Sequence, residues 1–162
     1  MRGMEGIIDQ LHRSVEGDSW QGPSIREILE GVSAREAAAH PIAGGHSIWE
    51  LVYHVTAWVR AVHSRVRGNV TELEGESDWP PVRNTSEKVW AAAFEDLRRS
   101  QSELIATLKV LSDVDLSGPV PNRDYDRAHL LHGLTQHTAY HAGQMSLLKR
   151  ALRHQAKAAT SR

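Results

Sequence analysis

His137 and His141 stand four residues apart in the stretch HTAYHAGQ. On a helix, at about 100° per residue, this spacing sets one imidazole a turn above the other, and both can reach one ion. The spacing alone carries little weight, because ten histidines in 162 residues give roughly 0.6 such pairs by chance. Its surroundings add more. Gln144 lies on the same face, seven residues after His137, and Leu130, Leu134 and Leu148 make that face otherwise apolar. Imidazoles turned into an apolar core need partners, since an unsatisfied buried polar group costs about 1–3 kcal/mol. A metal ion is one such partner.

Two histidines do not make a tight site, and a third ligand is expected from a facing helix. His54, in WELVYHVTAW between Leu51, Val55 and Trp58, is the best candidate. His63 follows nine residues later, about half a turn round the helix, and is expected to face solvent. His46 sits at the helix entrance, as a loop residue, a capping aid or a substrate contact. His129 and His132 are out of phase with His137, and His12, His40 and His154 read as surface residues. The five tryptophans read first as core, with Trp49 and Trp58 bracketing His54.

Three neutral histidines leave a divalent ion with open positions. Such an ion makes water, or a bound thiol, nucleophilic near neutral pH. The chain has no cysteine, so a thiol must come from a cosubstrate. A general base is not evident. Thr138 stands where an H-E-x-x-H motif has its glutamate. Glu50, one turn before His54, is already explained by helix capping. Gln144, Trp58, Tyr53, Glu50 and Tyr140 are the candidate pocket residues, and no catalytic residue is assigned.

Helices must position these side chains. Met4, Ile7, Ile8, Leu11 and Val15 form one apolar stripe over residues 4 to 15. Ser24 with Glu27, Ser33 with Glu36 and Ser47 with Glu50 are three capping boxes, the last opening the long run IWELVYHVTAWVRAVHSRVRG. Asn84 with Glu87 is read as the start of a third long helix. A fourth runs from about Asp126 to Arg153. Alternating β-branched runs are lacking. The expected fold is all-α: a four-helix bundle, with a short helical insert between the first two long helices. Residues 1–153 form one domain on this reading, and 154–162 a frayed tail. The periodicity leaves the bundle topology open.

Composition narrows the function. Nineteen Lys and Arg against 20 Asp and Glu give no basic footprint for nucleic acid. No apolar run is long enough for a membrane span, and Glu5 and Asp9 break any signal-peptide pattern. The expectation is a soluble cytoplasmic protein.

HSIWELVYHVTAW and LLHGLTQHTAYHAGQMSLLKR, in this order and separation, resemble the DinB/YfiT-like four-helix bundles, the second block being similar to their closing H-x-x-x-H-x-G-Q helix. The resemblance implies a divalent ion, nickel or zinc, on His54, His137 and His141, and a homodimer. It implies varied activities, among them S-transfer from low-molecular-weight thiols to small-molecule substrates. The sequence thus supports a metal-dependent transferase or hydrolase, with a non-catalytic metal-binding stress or scaffold protein as the alternative.

Overall fold

The computed structural model describes residues 3–160. Four long helices make the bundle: α1 (Met4–Glu16), α4 (Ile48–Val66), α5 (Glu87–Leu108) and α6 (Arg127–Thr160). The insert between α1 and α4 is two short helices, α2 (Ile25–Leu29) and α3 (Ala34–Ala37). Among the described residues there is no strand, only an isolated bridge between Pro119 and Asp126. No helix among them is long and apolar enough to cross a membrane.

Local chemistry explains the helix starts. Ser24, Ser33 and Ser47 each accept the backbone N–H three residues on, and Glu27, Glu36 and Glu50 bond back to the cap N–H. The fourth expected start is corrected. Ser86 caps α5, while Asn84 Oδ1 accepts the Ser86 N–H and Glu87 reaches across to the Ala34 N–H at 2.9 Å. Glu87 thereby serves the start of α3 instead of its own helix. At the other end of the chain α6 continues past His154 to Thr160. Its alanines favour helix, and nothing there breaks it. Residues 161 and 162 lie outside the described part.

The apolar stripes meet in one core, with Leu11, Val15, Trp49, Val52, Leu97, Leu104, Leu131 and Met145 fully enclosed. α4 packs against α5 and α6, and α1 packs against the same two, so α1 and α4 face each other across the bundle. Directions follow from the cross-helix pairs. Trp49 meets Trp90, Arg60 meets Ser100 and His63 meets Thr107, which makes α4 and α5 parallel. α1 is antiparallel to α5, through Leu11 with Gln101 and Glu16 with Arg98. α6 is antiparallel to α4. The order is up, down, down, up.

Parallel α4 and α5 cannot be joined by a tight turn. The chain between them must travel back along a helix that is about 28 Å long at 1.5 Å per residue. Residues 67–86 do this, apart from a single 3₁₀ turn in extended and irregular backbone. Arg65 pins the start of this crossover by donating from Nε and Nη2 to the Thr71 carbonyl, at 2.9 and 2.7 Å. Farther along, Trp79 and Val82 pack on the core.

Candidate metal centre

His54, on the middle of α4, points at α6, where His137 and His141 project one turn apart. The His137 Nε2 lies 3.1 Å from Nε2 of His54 and 3.1 Å from Nε2 of His141. The nearest ring nitrogens of all three fall within 4.8 Å of one another. The structure therefore brings together the three histidines singled out from sequence. His54 and His141 are buried and His137 is half-buried.

Hydrogen bonds on the far sides of the rings set the tautomers. His54 Nδ1 donates to the backbone carbonyl of Asp78 at 2.8 Å, with Asp78 Oδ1 at 3.1 Å. A carbonyl can only accept, so the proton sits on Nδ1 and the inward Nε2 carries a lone pair. His141 Nδ1 donates to Gln144 Oε1 at 2.7 Å, which frees its Nε2 in the same way. His137 lies between them, and its Nδ1 is buried with no partner.

Protonation does not relieve this crowding. Burial first, then the neighbouring His141 and His54, hold His137 down to about 3, so it is neutral at ordinary pH. Burial also lowers the pKa of His141, against the opposing pull of its bond to Gln144. A neutral His137 brings at most one N–H to two facing lone pairs, and its outer nitrogen is orphaned either way. A cation among the three Nε2 atoms removes the conflict. The two 3.1 Å spacings also fit: two nitrogens each about 2.0–2.1 Å from one ion, at angles of 90–110°, stand about 2.8–3.4 Å apart. Histidine is a ligand suited to zinc, nickel and related ions.

The crossover closes the site. Trp79 stacks on His54 with ring centroids 3.8 Å apart, and His46 stacks on the other face of Trp79 at 3.6 Å. Trp58 donates from Nε1 to Asp78 Oδ1 at 2.8 Å, and its ring lies 5.2 Å from that of His137. Asp78 and Trp79 escaped the sequence reading, being embedded in an irregular segment without a motif. The pairing of an acidic residue with a tryptophan after α4 was the only signal. Sequence periodicity cannot say which part of a crossover passes a given helix turn.

The other candidates divide. Gln144 and Trp58 stand at the triad, the first orienting His141 and the second walling His137. Tyr140 is exposed on α6, its ring edge-on to His141 at 5.0 Å. Tyr53 is half-buried and meets Trp49 edge-on, away from the triad. Glu50 stays with its cap and bonds His40 at 3.0 Å. His63 does face away from the site, but it is half-buried against α5 and bonded to Thr107 Oγ1 at 2.8 Å, correcting its expected exposure to solvent. A parallel neighbour covers that side of α4.

A cavity of about 220 Å³ opens on His137, walled by Trp58, Val62, Leu130 and Leu134. Another, of about 230 Å³, lies beyond Gln144 and His46. No fourth histidine or carboxylate joins the triad among the described residues.

Comparison with known proteins gives one finding for the whole arrangement. The model of the DinB superfamily matches residues 20–145, well over half of the chain and inclusive of all three histidines. No curated protein and no solved structure matches.

Proposed function

The chain belongs to the DinB superfamily, and from this premise we propose that it is a divalent-metal-dependent enzyme whose ion, nickel or zinc, is held by His54, His137 and His141. One observation carries the reading. Three inward Nε2 atoms converge with no fourth ligand among the described residues, next to a cavity that reaches His137. Sites of this kind keep positions for substrate, whereas structural sites are closed by the protein. When bound, the ion supplies Lewis acidity, which makes water or a thiol a nucleophile near neutral pH.

The chain's own residues favour the thiol. Among the described residues no carboxylate groups with the three Nε2 atoms, and Asp78 stands behind His54 on its Nδ1 side. Glu50 is engaged at the α4 cap, and Asp78 Oδ1 accepts from Trp58. A thiol, with an ordinary pKa of about 8.5, loses its proton near neutrality with far less help than water. With no cysteine in the sequence, the sulfur belongs to a low-molecular-weight cosubstrate. Asp78 and Gln144 hold two imidazoles in their ligating tautomers, and Trp58 and Trp79 keep bulk water off the rings. The reading includes a cytoplasmic homodimer, which light scattering at micromolar concentration checks.

Elemental analysis of wild type and His141→Ala comes first. Near-stoichiometric metal in the wild type, lost in the variant, supports the centre; negligible metal in both removes it. A screen of small thiols against carbon electrophiles follows. Thiol-dependent turnover that vanishes in His141→Ala supports the enzyme. Metal binding without turnover of thiol or water would leave the non-catalytic scaffold, in which the ion only ties α4 to α6.

A further inference from the structure

The cavity on His137 is walled largely by apolar side chains, with one permanent cation among them. Arg65, 4% exposed, lies in its wall with the guanidinium carbon 5.5 Å from the centre of the Trp58 ring. Nε and Nη2 share the Thr71 carbonyl, and Nη1 donates to no described residue. The nearest carboxylate, Glu72, stands 3.8 Å from Nη2, is half-exposed, and is itself bonded by Arg123. Among the described residues no acidic side chain lines the cavity, while His129 lies at its edge, stacked on Tyr125. A guanidinium with one nitrogen uncommitted, set in a largely apolar wall, can anchor an anion there.

A second observation concerns the space itself. Gly133 lines the cavity one turn before His137, inside α6, and a Cβ built on it would meet nothing within 4 Å. Glycine weakens a helix interior relative to alanine, and close packing does not demand it here. Its effect is to leave the volume beside His137 open.

We propose that this cavity binds the carboxylate end of a small organic anion, anchored by Arg65, with the short apolar body of the ligand between Trp58 and Gly133. The inference rests on the proposed metal-dependent reading for its biological sense, though not for its test. Arg65 is then a specificity residue and Gly133 the residue that makes room.

The test titrates metal-free and zinc-loaded full-length protein with mercaptopropionate, mercaptoethanol, cysteamine and propionate, followed by calorimetry and tryptophan fluorescence. The anionic probes are expected to bind about 10-fold or more tighter than the neutral and cationic ones. Arg65→Met and Gly133→Leu should each remove this preference while retaining wild-type zinc stoichiometry. If Arg65→Met fails to fold, Gly133→Leu carries the test, since it leaves the Thr71 bond and all three histidines in place. Mercaptopropionate surpassing propionate only in zinc-loaded protein assigns the carboxylate to the thiol cosubstrate; equal binding assigns it to the other reactant. Equal affinity for all three charges, or a preference that survives Gly133→Leu, overturns the proposal. A wild type that binds no zinc but prefers the anions sinks the metal reading alone.

Discussion

α4 carries two inward-packed histidines nine residues apart, and they end in different chemistry. His63 lies against α5, where Thr107 offers a hydroxyl that can donate or accept. His54 lies against α6, where the partners offered are two more imidazoles. Burial lowers the pKa of His63 as it does those of His137 and His141, so burial does not separate the regions. Satisfaction does. At the α5 seam His63 Nε2 and Thr107 Oγ1 match each other, whichever of them donates. At the α6 seam the tautomers are fixed from behind, and lone pairs are left facing one another. The candidate metal site is marked here by surplus acceptors and not by the number of histidines.

The strongest way to break this contrast is to remove a ligand on each side. His54→Ala or His141→Ala should weaken zinc or nickel binding by more than the roughly 100-fold that loss of a hydrogen-bond partner behind a ligand can cost. His63→Ala should stay within about 2-fold, because Thr107 can turn to water. Competition with a chromogenic chelator measures both, and equal losses would erase the distinction.

The groups behind the rings come next. Gln144→Ala removes the one partner of His141 Nδ1 and should lower metal affinity about 10- to 100-fold. Asp78→Ala leaves the backbone carbonyl that His54 uses, so its loss should be smaller, about 10-fold or less. The reverse order would mean that the carboxylate, and not the carbonyl, sets the His54 tautomer.

Acid should expose the triad's strain in metal-free protein. Folding holds His137 at about 3, below the ordinary 6.5, so from pH 6.5 down toward 3 the unfolded chain binds a proton that the folded chain refuses. Stability from this group is whole above pH 6.5 and falls as the pH drops through that window. His141 adds in the same direction. Urea melts at stepped pH read this slope, and His137→Gln should flatten it.

The smallest expected effect is at Glu50. Glu50→Ala removes its capping bond and the contact with His40, costing about 1 kcal/mol by thermal or urea melting. Metal affinity should not move. A loss of metal would draw Glu50 into the site and make the α4 cap part of the chemistry.

Much of this frame is legible in sequence because its causes are local. Ser24, Ser33 and Ser47 meet their glutamates three residues on, and the apolar stripes repeat at helical spacing. Where the causes are not local the reading fails. Glu87 bonds Ala34, 53 residues away, and so leaves the capping of α5 to Ser86. His63 is covered by a helix whose direction the periodicity does not encode. The extension of α6 over 154–160 is a different case, in which alanines among small polar residues favour helix.

By itself the sequence determined the helices, most of their caps and the likeness in phase of His137, His141 and Gln144, since these depend on spacing along one chain segment. It also placed His54 on the core face of α4. The tertiary structure decided which residues meet behind those rings. Because α4 and α5 run parallel, residues 67–86 must return along the bundle, and that path lays Asp78 and Trp79 on His54. The antiparallel packing of α6 on α4 sets Gly133 and Arg65 around one cavity. Contacts between segments this far apart follow from helix direction and packing, which spacing along the chain does not specify.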